Sequence, residues 1–122
     1  LSAEEATRNV IRENPDLIAV VCSSGEETLG AIQALKDTNK IGDVMVIGND
    51  DYEEVLDYIE RGLVYATVVA DNELLGYEAI MNMTNHKADL LVSQYKDIRV
   101  RLITKSNLDE YRQEVGGRLD EE

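Results

Sequence analysis

A chain of 122 residues with 25 Asp and Glu against 12 Lys and Arg, a net charge of −13, is long enough to bury a core as one domain or as part of a larger one. The charge argues against nucleic acid, whose phosphates demand Lys and Arg, and against anionic membrane surfaces. The single cysteine, Cys22, excludes an intrachain disulfide framework, no apolar run is long enough to span a bilayer, and no signal peptide opens the sequence, which is equally true of a mature or truncated secreted chain.

Residues 1–13 predict a helix: Ser2 stands as N-cap with Glu5 three positions on, the two halves of a capping box, and Ala3, Ala6, Val10 and Ile11 fall on one face. Asn14-Pro15-Asp16 ends it. Residues 17–21, rich in Val and Ile, are too short for a helix and suit a buried strand. Ser24 with Glu27 then forms a second capping box, for a helix through about Leu35 that turns Leu29, Ile32 and Leu35 inward. After a polar turn over residues 39–43, residues 44–48 read Val-Met-Val-Ile-Gly, a buried parallel strand, and run into Asn49, Asp50 and Asp51. A third helix is predicted to start at Asp51 with Glu54 as capping partner; Val55, Leu56, Ile59 and Leu63 give it one apolar face, and Gly62 suits a left-handed C-cap.

Residues 65–69 form the third predicted strand, and Asp71 or Asn72 caps a fourth helix. Its Leu74, Leu75, Tyr77, Ala79, Ile80, Met81 and Met83 make it apolar on more than one side, so it wants partners on both. Thr84-Asn85-His86 reads as a turn that leaves His86 in solvent, and no clear period runs from Thr84 to Ser93. Residues 98–104 alternate, Ile98, Val100 and Leu102 against Arg99 and Arg101, the mark of an edge or half-exposed strand. Residues 107–122 are polar and predict a short helix with a frayed tail.

Strands separated by helix-length segments imply right-handed crossovers, hence an α/β fold, a three-layer sandwich with a mostly parallel sheet. In that arrangement three strand ends, at residues 22–24, 49–51 and 70–72, share one rim, where side chains and helix N-termini can converge on a ligand. Several of these residues have simpler duties. Ser24 is accounted for by capping, Asp51 likewise, and Asp71 and Asn72 by the start of the fourth helix. Asp50 is left with no capping task, so it is the candidate ligand contact. Tyr52 can stack on a ligand or simply lie on the surface of a first helical turn. Cys22 at the end of a buried strand reads as a packed thiol, since the one histidine, His86, is far away in sequence. No nucleophile and base pair and no metal-ligand spacing is present, which predicts a binder without catalytic residues or cofactor.

Several separated segments resemble the second half of type I periplasmic sugar-binding proteins of the ribose and galactose class. They are Asn14-Pro-Asp-Leu-Ile-Ala-Val-Val, Thr28-Leu-Gly-Ala-Ile-Gln-Ala-Leu-Lys36, Val44-Met-Val-Ile-Gly-Asn-Asp50, Arg61-Gly-Leu-Val-Tyr-Ala-Thr-Val-Val-Ala-Asp71 and Thr104-Lys-Ser-Asn-Leu-Asp-Glu-Tyr111, in the family's order. The resemblance implies a receptor of two α/β lobes joined by a hinge, closing on a small sugar and passing the closure on to a membrane transporter or sensor. It puts a sugar-binding carboxylate at Asp50. The Asn usual at the position of Ser24 and the Gln usual at the position of Ala70 are replaced, so either the ligand differs from the usual pentose or hexose, or Asn49, Asp71 and Asn72 take over, or tight sugar binding has been lost. The candidate ligand-binding set is therefore Asp50, Ser24, Asn49 and Asp71, with Asn72 beside it.

The resemblance also implies an extracytoplasmic location, periplasmic or as a cell-surface lipoprotein. Complete receptors of this class are more than twice as long. Residues 1–71 are thus expected to belong to the second lobe, and residues 72–122 to supply the hinge crossing, the return helix, the last strand and the polar tail. A piece of this kind exposes apolar surface and sheet edge, which predicts a homo-oligomer or a part of a longer receptor. Two other readings stand beside it. The effector-binding domain of a lactose-repressor-like regulator shares the fold, although the segment 59–69 lacks the proline-rich approach usual there. A phosphoacceptor signalling domain would use Asp50 and Asp51 as an acidic pocket with Lys105, but needs a further strand to present the acceptor.

Overall fold

The computed structural model describes residues 2–119. In chain order the elements are α1 (Ala3–Glu13), β1 (Ala19–Val21), α2 (Gly25–Asp37), β2 (Met45–Asn49), α3 (Glu53–Glu60), β3 (Ala66–Ala70), α4 (Asn72–Lys87), β4 (Val100–Thr104) and α5 (Leu108–Leu119). The strands form one open sheet in the order β1-β2-β3-β4. Val20 pairs in parallel with Val46, and Gly48 with Thr67. The α/β class and the mostly parallel sheet predicted from the sequence are present. A parallel sheet needs a crossover between neighbouring strands, and α2 and α3 provide the first two.

The chain divides into two compact units, Leu1–Val69 with Leu102–Glu122, and Ala70–Arg101. In the first, Ile32, Leu35, Val46, Val55, Ile59, Val64, Ile103 and Leu108 are almost completely buried. Each such side chain contributes roughly 1.5–3 kcal/mol by leaving water. The helices supply Ile32 and Leu35 from α2 and Val55, Leu56 and Ile59 from α3, which is the periodicity the sequence shows. Gly48 lets α2 lie directly on β2. A Cβ there would sit 2.8 Å from Thr28 Cγ2, so nothing larger than a hydrogen fits.

The first capping box is complete. Ser2 Oγ accepts the Glu5 N–H at 3.2 Å while Glu5 Oε2 accepts the Ser2 N–H at 3.0 Å. The expected face of α1 is present in part. Ala3 and Ile11 lie inward, Ile11 as the one buried residue among those described, whereas Ala6 is exposed and Val10 is 43% exposed. Thr7, between Ala3 and Ile11 at a spacing of four, takes the half-buried place, and Arg8 bridges Glu4 and Asp37 Oδ2, the latter at 2.6 Å. Gly62, with φ of +75°, takes the left-handed position after α3 as predicted.

Three further expectations are corrected. Asp51 does not cap α3: the helix starts at Glu53 behind Tyr52, which makes no side-chain cap bond. Asp51 Oδ2 instead accepts from the hydroxyl of buried Tyr111 at 2.5 Å, a long-range partner that draws it out of the cap position. Thr84-Asn85-His86 is not a turn. The α4 helix runs to Lys87, with Thr84 Oγ1 donating to the Ile80 carbonyl at 2.9 Å, so that its polar side chain is satisfied without leaving the helix. In β4, Val100, Arg101 and Leu102 are all exposed and only Ile103 is buried, in the core cluster that holds Leu108 and Tyr111, so the alternation does not mark an inward face. As the sequence implies, β4 lies at an edge of the sheet. The expected helix is α5, which runs to Leu119, and the tail beyond it lies outside the described residues.

In the second unit α4 is long and well formed yet has no buried residue. Tyr77, Ile80 and Met83 are each more than 60% exposed.

Candidate functional site

In the first unit, Ser23 and Ser24 follow β1, and Asn49 to Tyr52 follow the parallel neighbour β2, so the two segments lie side by side at the carboxyl edge. Asp50 is their centre. Its φ is +69°, a left-handed conformation that Asp and Asn tolerate better than other residues with a side chain. The surroundings hold it there. The Asp50 N–H donates to the Val68 carbonyl at 2.9 Å and to Asn49 Oδ1 at 2.8 Å, and the Asp50 carbonyl accepts from Thr67 Oγ1 at 2.7 Å. Thr67 is completely buried, as is Thr28, whose Oγ1 accepts the Asn49 N–H at 3.2 Å and donates to the Ser24 carbonyl at 2.8 Å.

The Asp50 carboxylate has a structural duty that the sequence did not reveal. Its Oδ2 accepts the N–H of Gly25, the first residue of α2, at 2.9 Å. That amide is one of the donors a helix leaves unsatisfied at its start. No donor among the described residues reaches Oδ1. Ser24 Oγ accepts the Glu27 N–H at 3.2 Å, so Ser24 is the N-cap, as predicted. The reciprocal half of that capping box is shifted by one residue. Glu27 Oε2 accepts from Ser23, from its N–H at 2.8 Å and its hydroxyl at 2.7 Å. The hydroxyl bond first, then the amide bond, hold the Glu27 carboxyl below its ordinary pKa.

Tyr52 completes the group. Its ring lies against Gly25, where an added Cβ would come within 2.8 Å of Cδ2 and 2.9 Å of Cε2, and the residue remains 46% exposed. Ser24, Gly25, Asn49, Asp50 and Tyr52 are therefore brought together. Asp71 belongs to the second unit, where its Oδ1 accepts the Leu74 N–H at 2.9 Å as the N-cap of α4 and its own N–H donates to the Arg99 carbonyl at 3.0 Å.

Chemically the rim is rich in acceptors. Two amides at the start of α2 that would attract an anion are occupied by Asp50 and Ser24, and the carboxylates of Glu26 and Glu27 stand in the same first turn. Such a surface suits a neutral ligand that donates hydrogen bonds, as hydroxyl groups do. Cys22, buried at the end of β1, has its thiol pKa raised by burial, which leaves it protonated and inert. Among the described residues no group of His, Cys, Asp and Glu has metal-binding geometry. A groove of about 660 Å³ lies at the opposite, amino-terminal edge of the sheet, lined by Ile18, Met45, Tyr65 and Lys105 among others. It is remote from the helix starts.

The residues missed by sequence reasoning are Gly25, Thr28 and Thr67. The two threonines had a signal: each is a polar residue on a face otherwise filled with aliphatic side chains, Thr28 four before Ile32 and Thr67 within β3. Gly25 had none, because its partner lies twenty-five residues away.

Comparison with known proteins shows that residues 2–89 match the model of a periplasmic binding protein domain. The D-allose-binding periplasmic protein of Escherichia coli (strain K12) is 28% identical over 85 residues, 70% of this chain and 27% of that protein. The ribose import binding protein RbsB of Bacillus subtilis (strain 168) is 35% identical over 68 residues, 56% of this chain and 22% of that protein. Among solved structures, GanP, a glucose-galactose binding protein from Geobacillus stearothermophilus, superposes with a TM-score of 0.80 at 24% identity, covering 87% of this chain and 38% of GanP. A chain of the XylFII-LytSN complex gives a TM-score of 0.73 at 33% identity, covering 85% and 36%. The chain spans 27% or less of the length of the curated relatives it matches.

Proposed function

This chain belongs to the periplasmic binding protein domain family, and from that premise we propose that it is part of a two-lobed receptor that closes on a small sugar or related polyol, without catalysis, and reports closure to a membrane transporter or sensor. The observation that carries this reading is Asp50. A carboxylate stands at the carboxyl edge of a parallel sheet, one oxygen fixed by the Gly25 N–H and the other without a donor among the described residues, on a rim suited to hydroxyl donors. The relatives named for allose, ribose, glucose and galactose support the ligand class. The complex of XylFII with LytSN supports a protein partner that reads the bound state.

In this reading Ser24 and Asn49 flank the sugar, and Asp71 lies at the hinge crossing. Residues 1–71 belong to one lobe and residues 72–122 carry the crossing, the return helix α4, the last strand and the tail. The receptor works outside the cytoplasm. The regulator and phosphoacceptor readings are not favoured by these relatives. The phosphoacceptor reading also needs Asp50 and Asp51 to act as one acidic pocket, whereas their carboxylates bond to Gly25 and Tyr111 respectively.

The test is calorimetric titration of the receptor with a panel of aldopentoses and aldohexoses, before and after Asp50→Asn. Asn keeps the left-handed backbone and a neutral acceptor for Gly25, so the fold stays and the charge goes. Loss of a charge-assisted hydrogen bond is expected to weaken the best sugar by about 1.5–3 kcal/mol, roughly ten- to a hundredfold. Unchanged affinity in the Asn variant would remove Asp50 from the site.

A further inference from the structure

Sugar sites commonly pair polar groups that read hydroxyls with an aromatic ring, from Trp, Tyr or Phe, that covers the apolar C–H face of the pyranose or furanose. The aromatics of this chain are six tyrosines, with no Trp and no Phe. Their placement is selective. Tyr58 and Tyr111 are buried in the core of the first unit, and Tyr65 lines the groove at the amino-terminal edge of the sheet. Tyr77 and Tyr95 belong to the second unit. Tyr52 alone is an exposed aromatic at the carboxyl edge of the first unit.

Resting on the sugar-receptor reading above, we propose that Tyr52 is the aromatic platform of this lobe, stacking against the ligand whose hydroxyls Asp50 receives. Two contacts on a single residue tie them together. Gly25 gives its N–H to Asp50 Oδ2 at 2.9 Å, and its Cα is covered by the Tyr52 ring. The carboxylate and the ring are thereby fixed to the same point of the backbone at the start of α2. The ring is anchored on one side and 46% exposed overall, which gives it a defined position together with free surface. Gly25 is what admits it, because a Cβ there would lie 2.8 Å from Cδ2 and drive the ring away. Tyr52 therefore adds to the polar set a contact that distinguishes sugars by the C–H face they present.

The experiment titrates the receptor of which this chain is part, wild type and variants, with D-ribose, D-allose, D-glucose and D-galactose, following the heat of binding. Tyr52→Ala is expected to weaken the sugar that binds best by about tenfold, whereas Tyr52→Phe, which keeps the ring, stays within about twofold. Tyr52→Leu separates stacking from packing: it refills the space over Gly25 with apolar volume but presents no ring, and is expected to bind as weakly as Tyr52→Ala while unfolding like the wild type. Gly25→Ala, with Tyr52 intact, is expected to reduce affinity by displacing the ring. Affinity unchanged in Tyr52→Ala, or restored in full by Leu, overturns the platform while leaving the sugar reading in place. Absence of saturable binding of any of the four sugars to the wild-type receptor overturns both.

Discussion

Ile59 in α3 and Ile80 in α4 are the same residue in the same kind of element, yet one is fully buried and the other is 67% exposed. The contrast extends to the two units that hold them. In the first, α2 and α3 each lay an apolar stripe on a parallel sheet. In the second, α4 is the longest helix among the described residues and buries nothing. Helix formation in α4 is a matter of good local propensity and an N-cap at Asp71, whereas stability in the first unit comes from removing aliphatic surface from water. An apolar helix with no buried residue is a surface awaiting a partner, and its composition alone does not tell a core from an interface.

The sharpest way to break this contrast is to truncate both isoleucines. Ile59→Ala is expected to cost about 2–5 kcal/mol in urea unfolding followed by circular dichroism, the usual penalty for a cavity in a packed core. Ile80→Ala should change stability by no more than about 0.5 kcal/mol. Equal penalties would mean that α4 is packed in solution as tightly as α3, for example by self-association, and sedimentation would then show the oligomer.

A smaller effect comes from removing the two N-caps. Ser24→Ala should lower the unfolding free energy of the first unit by about 1 kcal/mol. Asp71→Ala removes chemically similar help, but in the second unit. It should speed amide exchange through the first turn of α4, Leu74 first, while leaving the urea midpoint of the first unit where it was. A shift of that midpoint by Asp71→Ala would join the two units into one cooperative structure.

The smallest effect is one of pH and is confined to the first unit. Glu27, bonded by the Ser23 hydroxyl and amide, has its folded pKa lowered. Its contribution is therefore fully present above the ordinary glutamate value and is lost as pH falls through the lowered folded value. Because the carboxylate is exposed, the change is slight. Replacing it by Gln should flatten the acid limb of the stability curve in that window, and an unaltered limb would show that the Ser23 bonds do not persist in solution.

Much of this architecture was legible in the sequence. Strand-helix alternation, the capping box at Ser2, the N-caps at Ser24 and Asp71 and the left-handed Gly62 are local signals carried by residues within four positions of one another, and they appear as expected. What failed was set from a distance. The start of α3 is set by Tyr111 reaching Asp51, and the buried position of β4 by the cluster in which Ile103 meets Leu108 and Tyr111. The site divides in the same way. Asp50 was recognisable as a residue without a local task, but its bond to Gly25 spans twenty-five positions and has no trace in the spacing. Tyr52 looked like any tyrosine in a first helical turn until its ring was seen to cover Gly25.

The bond from Gly25 to Asp50 also bears on the rate and heat of recognition. A surface carboxylate ordinarily samples several rotamers and must be frozen when something binds it, at a cost in conformational entropy. Here one oxygen is clamped by the main chain, so the direction of the other is set beforehand. In the proposed site a hydroxyl would meet an acceptor already aimed, and association should need little side-chain rearrangement. The same clamp limits that site: one oxygen serves the protein, and a single carboxylate oxygen is left for a ligand.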